Sequence, residues 1–77
     1  MNKGSPTVSG QQVVRALERA GFEVIRVKGS HHFIRHRDNR SRQSVVPVLG
    51  SEDLGRALLR KILSDVGQTP DELIGFL

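Results

Sequence analysis

Phe22-Glu23-Val24-Ile25-Arg26-Val27-Lys28-Gly29-Ser30-His31-His32-Phe33-Ile34-Arg35-His36 reads as two strand-forming runs on either side of a Gly-Ser link. Glycine at the first of two central positions supplies the positive φ of a type II′ turn, and the twist of that turn follows the twist of the strands it joins. A two-residue link sets Lys28 opposite His31, Arg26 opposite Phe33 and Val24 opposite Arg35. On the other face it sets Ile25 and Val27 opposite Ile34 and His32. One register therefore sorts the hairpin into a mostly apolar face and a basic one. A three-residue link would mix Ile25 and Val27 with His31, so the shorter turn is the expected one.

Upstream, Ser9 followed by Gln12 is a capping-box pair, and a helix should begin there. Val13, Leu17 and Ala20 recur at helical spacing with Ala16 beside them, while Gln12, Arg15, Glu18 and Arg19 face away. Gly21 ends the helix as the residue that enters the left-handed region cheaply. Residues 1–8 have little periodicity and are expected to form a flexible tail, leaving residues 9–77 as a single domain.

Downstream, Arg37-Asp38-Asn39-Arg40-Ser41-Arg42 contains no apolar residue and reads as a loop. Ser44-Val45-Val46-Pro47-Val48 is a third strand, and Pro47, which has no N–H to donate, assigns it to a sheet edge. The loop leaves its register open, and with it which valines point inward. Ser51 is the expected cap of a second helix, with Glu52 and Asp53 where the helix dipole favours acids. Its apolar stripe runs through Leu54, Leu58, Ile62 and Val66 with Leu59 and Leu63 alongside. Gly55 weakens the first turn, which allows a start anywhere from Ser51 to as late as Arg56, and Gly67 ends the helix. Thr69-Pro70-Asp71-Glu72 repeats the start signal for a short third helix carrying Leu73, Ile74 and Leu77. The fold class is α+β: a three-stranded antiparallel sheet with the helices packed on one face and a short C-terminal helix.

The chain has 77 residues, enough for one small core, and no cysteine, which excludes disulfides and thiolate metal sites. No long apolar run or secretory h-region is present, and the expected compartment is the cytoplasm. Net charge is +4, and residues 26–42 alone carry +5. A central cationic stripe of this kind meets a polyanion, nucleic acid above all, or else it is a solvated loop that keeps the domain soluble.

The uncovered sheet face should carry Arg26, Lys28, His31, Phe33 and Arg35. His32 and His36 share the other side of a regular strand but lie about 13 Å apart, too far to hold one ion, and no metal or cofactor is expected. The chemistry that suits the uncovered face is cleavage of RNA through its own 2′-hydroxyl. That reaction needs a base near neutral pKa, for which His31 qualifies, and a cation to stabilise charge on the phosphate, for which Lys28 across the hairpin qualifies. The lysine's charge would also favour the neutral, basic imidazole. Arg35 lies too far along the strand for the same phosphate and reads as a contact to neighbouring nucleotides, as do Arg26, Arg40 and Arg42. Phe33 is either a platform on which a base stacks or a plain core residue. From the residues alone, simple RNA binding stands ahead of catalysis.

The run Gly21-Phe22 through Lys28-Gly29-Ser30-His31-His32, then Arg35-His36, Val46-Pro47-Val48 and Leu59-Arg60-Lys61-Ile62-Leu63, resembles the HicA family of mRNA interferase toxins. The resemblance covers nearly all of the chain after its first residues. It implies a fold similar to a double-stranded-RNA-binding domain, α-β-β-β-α. It also implies a metal-independent endoribonuclease acting on mRNA, with His31, the histidine after Gly29-Ser30, as the catalytic one. The implied partner is a HicB-like antitoxin that masks the active site. Two positions depart from the family pattern. Leu49 stands where members often carry a histidine, and Ala57-Leu58 where they often carry Gly-Thr. The alternatives to a ribonuclease are a non-catalytic RNA-binding module of the same fold, and an adaptor whose terminal helix docks a protein.

Overall fold

The computed structural model describes residues 7–77. Its elements run α1 (Gly10–Arg19), β1 (Phe22–Lys28), β2 (His31–His36), β3 (Gln43–Pro47), α2 (Arg56–Val66) and α3 (Pro70–Phe76). The strands form one antiparallel sheet in the order β1-β2-β3, so β3 and its proline lie at an edge as expected. Helix, three antiparallel strands and two further helices make an α+β fold consistent with a double-stranded-RNA-binding-domain-like architecture. No described helix is long and apolar enough to cross a membrane.

The capping box of α1 is complete: the Gln12 N–H donates to Ser9 Oγ at 3.2 Å, and the Ser9 N–H donates to Gln12 Oε1 at 2.9 Å. Val13, Ala16 and Leu17 are fully buried against Phe22, Ile34 and Val46 of the sheet and Leu59, Ile62, Leu63 and Val66 of α2. Val14 joins them. Of the residues expected to form a loose tail, the first six lie outside the described residues. Val8 is packed into the core, and its carbonyl accepts from the Leu54 N–H at 2.7 Å.

The hairpin turn is the expected one, with Lys28 paired to His31 and Gly29 at φ 58° while Ser30 stays on the negative side. Further along, the register departs from expectation. A β-bulge at Ile25 puts Val24 opposite Ile34 and Glu23, rather than Val24, opposite Arg35. The extra residue shifts the side-chain alternation by one step. Phe22 and Val24 therefore point to the helices, whereas Arg26 and Lys28, two and four residues on, belong to the opposite face with Phe33 and His31. Ile25 and Val27, expected under the helices, remain 43% and 55% exposed. The third strand pairs Ile34 with Ser44, His32 with Val46 and Phe33 with Val45, so Val46 is the valine that points inward.

Helix α2 starts at Arg56 with Gly55 as its N-cap and no capping side chain, so Ser51 is not the cap and Glu52 and Asp53 stand outside the first turn. The cause lies in the pairing just upstream. Asp53 bridges to Ser9 and the Leu54 N–H is committed to Val8, which holds this segment extended. Gly67 closes α2 in the left-handed region, with the Gln68 N–H reaching back to the Leu63 carbonyl at 2.9 Å. Thr69 and Glu72 form a second capping box ahead of α3, with Pro70 at the start. Only Leu73 of α3 is buried; Ile74 and Leu77, expected beside it, stay about half exposed.

Candidate active site and nucleic-acid interface

Because directly opposed residues of an antiparallel pair project to the same side, the register defines the uncovered face: Glu23, Arg26 and Lys28 of β1, His31, Phe33 and Arg35 of β2, Gln43, Val45 and Pro47 of β3. At one end Lys28 and His31 stand side by side, both exposed, where directly paired Cβ atoms lie about 5 Å apart. The turn that joins them is anchored, since the Ser30 carbonyl accepts from the Val48 N–H at 2.7 Å and so ties the hairpin tip to the chain leaving β3. The start of α1 lies tight against the end of β3 there. A Cβ on Gly10 would collide with the Pro47 carbonyl, so only glycine lets the helix start seat against β3.

The Arg26 guanidinium lies over the Phe33 ring, 5.5 Å from its centroid. Phe33 is half-buried on the uncovered face rather than in the core. Arg35 sits between Glu23 and Gln43 in the register, four residues from His31, or roughly 13 Å along the strand. Arg40 is exposed in the β2–β3 loop at that same far end.

Arg42, expected among the nucleic-acid contacts, is placed elsewhere. Its Nε donates to the Val66 carbonyl at 2.6 Å, one of the carbonyls left over at the end of α2, and its guanidinium covers the Phe22 ring at 5.2 Å. The other two histidines also take structural positions. His36 packs edge-on against Phe22 with ring centroids 4.9 Å apart, and its Nδ1 accepts from the Asp38 N–H at 3.1 Å. His32 is half-buried opposite Val46. Among the described residues no group of three metal-ligating side chains is close enough to hold an ion.

Sequence reasoning missed a groove of about 540 Å³ that starts at His31, is lined by Phe33, Val45 and Pro47, and is walled by Leu58 of α2. Besides His31, Lys61 and Asp65 of α2 and Gln43 and Ser44 of β3 supply its polar groups. Asp65 accepts from Ser44 Oγ at 2.8 Å and from Lys61 Nζ at 3.0 Å. The Ser44 hydroxyl first, and the lysine second, hold its carboxyl below the usual carboxylate range, and it is an acceptor at neutral pH. No local signal announces this groove, because it depends on the third-strand register and on how α2 sits beside the sheet.

The family described as HicA toxin of bacterial toxin-antitoxin matches residues 10–68, which is α1 through the end of α2. The chain belongs to this HicA toxin family. It is accordingly the toxin member of a toxin–antitoxin pair, with a cognate antitoxin as partner. A comparison with curated protein sequences gives no match. Within the HicA match lie the Lys28–His31 pair, the arginines of the sheet face and the whole groove, while α3 falls outside it.

Proposed function

We propose that this HicA toxin is a metal-independent endoribonuclease that cleaves mRNA through the RNA's own 2′-hydroxyl. His31 takes the proton of that hydroxyl as its oxygen attacks the adjacent phosphorus. A P–O bond to the 2′ oxygen forms, the P–O5′ bond breaks, and the leaving 5′ oxygen picks up a proton from water. The products are a 2′,3′-cyclic phosphate and a 5′-hydroxyl. Lys28 stabilises the charge that builds on the non-bridging phosphate oxygens. Gly29 and Ser30 aim the two side chains by fixing the turn between them, and the bond from Val48 to the Ser30 carbonyl keeps that turn from swinging. Phe33, with Arg26 over it, offers a stacking surface, while Arg35 and Arg40 contact neighbouring phosphates. A HicB-like antitoxin neutralises the toxin by covering this basic face.

The observation that carries the reading is the pairing of Lys28 with His31 across a two-residue turn on the uncovered face of the sheet. His31 is exposed on the sheet face, so removing its ring should leave the fold intact. The expected result for His31→Ala is unchanged folding and RNA binding with cleavage and growth arrest abolished, and undiminished wild-type cleavage in EDTA. Cleavage retained by the variant would remove His31 from the mechanism. An intact protein that binds RNA and never cuts it would establish the non-catalytic alternative.

A further inference from the structure

The groove beside His31 has the composition of a ligand site, with an apolar lining from Phe33, Val45, Pro47 and Leu58 and a few convergent polar groups, Gln43 and the Lys61–Asp65 pair. Its layout follows from the register. His31 opposes Pro47, Phe33 opposes Val45 and Arg35 opposes Gln43. At roughly 3.3 Å per residue, Phe33 and Val45 lie about 7 Å from the His31 step, and Gln43 lies about 7 Å farther on. Phosphate, base and base edge are laid out in that order along a nucleotide pulled out of its stack. The side-chain amide of Gln43 is exposed and makes no hydrogen bond among the described residues, which leaves both its donor and its acceptor for a ligand. Asp65 already holds Ser44 and Lys61, and the lysine offsets its charge, so this wall has no surplus cation to favour a second phosphate and a neutral ring with N–H groups suits it better.

We infer that this groove seats one unstacked nucleobase of the RNA, from a nucleotide next to the scissile phosphate, and that Gln43 reads its edge. The inference rests on the ribonuclease reading, which places the phosphate at Lys28 and His31. The base lies against Phe33 and Val45 with its hydrogen-bonding edge toward Gln43. An aromatic platform plus an amide reader selects among bases in unpaired RNA, where those edges are free. A base held in a duplex cannot enter, so the preferred substrate is a single-stranded stretch.

The test uses the full chain with short RNA oligonucleotides of a single base type, each in a native form and in a 2′-methoxy form that cannot be cut. The wild type is expected to bind one of the four uncuttable oligonucleotides about tenfold or more tightly than the worst, the discrimination of one well-placed amide pair. Gln43→Leu, at an exposed position, should keep the fold and level that preference. Val45→Trp, which fills the groove, should weaken binding of all four. Equal affinities for all four in the wild type, or a preference untouched by both substitutions, would overturn the inference, including the case in which the groove serves a protein segment instead. If native RNA is cut with the same base preference by Gln43→Leu and wild type, the groove assignment fails and the ribonuclease survives. Base-selective binding that Gln43→Leu levels, with no native RNA cut, supports the groove and fails the ribonuclease.

Discussion

Replacing Gly10 by alanine should destabilise this protein, although helix propensity alone argues the reverse. Glycine to alanine at a helical position is worth up to about 1 kcal/mol in favour of the helix, less at its first residue. At Gly10 the added Cβ would land on the Pro47 carbonyl and come within 3.2 Å of Val48 Cα, and these are backbone atoms that cannot rotate aside. Either α1 lifts from β3 or the end of β3 moves. Overpacking of this kind costs about 1–3 kcal/mol. The net expectation is a loss of about 1–2 kcal/mol, which for a domain of this size is a fall in Tm of roughly 4–16 °C. Gly75→Ala is the internal contrast, since its Cβ meets nothing and its position lies within α3; it should raise stability by up to about 1 kcal/mol. Thermal denaturation of both variants by far-ultraviolet circular dichroism decides the matter. A Gly10→Ala variant as stable as wild type or more so would refute the close approach of α1 to β3. The loss should also reach the site, because displacement of Val48 pulls on the Ser30 carbonyl and hence on the turn between Lys28 and His31. On the ribonuclease proposal, cleavage by Gly10→Ala is therefore expected to slow at temperatures where the variant is still folded.

The remaining expectations concern the two charged groups that anchor α2 and, as a contrast, one arginine of the basic surface. Asp65 has its pKa lowered in the folded protein, so the stability it contributes is present above its unfolded value of 3.8 and is lost as pH falls through the lower folded value. Asp65→Asn should accordingly flatten the acid limb of a stability-versus-pH curve below about pH 4 and reduce stability at neutral pH, and an unchanged acid limb would count against the Ser44 and Lys61 hydrogen bonds. Arg42→Met should cost about 1–3 kcal/mol in urea denaturation, because the charged donor to the Val66 carbonyl is gone, while leaving the salt dependence of RNA binding as it was. Arg40→Ala, at an exposed loop position, should do the opposite, leaving stability nearly unaltered and reducing the slope of log affinity against log salt by about one. A reduced salt slope in Arg42→Met would return that residue to the interface.

What the residues determined alone are the features governed by local rules. Ser9 with Gln12 and Thr69 with Glu72 specify helix starts, because a capping box is completed within four residues. Gly29 specifies the turn, because only its backbone takes positive φ without strain, and the turn length then places Lys28 against His31. The Lys-Gly-Ser-His run and the Val-Pro strand likewise sufficed for the HicA resemblance, and the family match accords with it.

The tertiary structure decided everything that depends on two distant segments meeting. The bulge at Ile25 is a compromise in which one strand supplies Phe22 and Val24 to the core and Arg26 and Lys28 to the opposite face, something strict alternation cannot do. Arg42 read as one more basic loop residue, yet the end of α2, 24 residues farther along the chain, supplies the carbonyl that claims it. The need for glycine at position 10 arises only because the Pro47 carbonyl comes to lie against it. The groove needed the β3 register and the placement of Leu58, Lys61 and Asp65 of α2 together. Chain-local chemistry can specify a cap or a turn because all the atoms involved are a few bonds apart. Which face a strand presents, and which carbonyl an arginine finds, is settled only when packing brings remote backbone into contact.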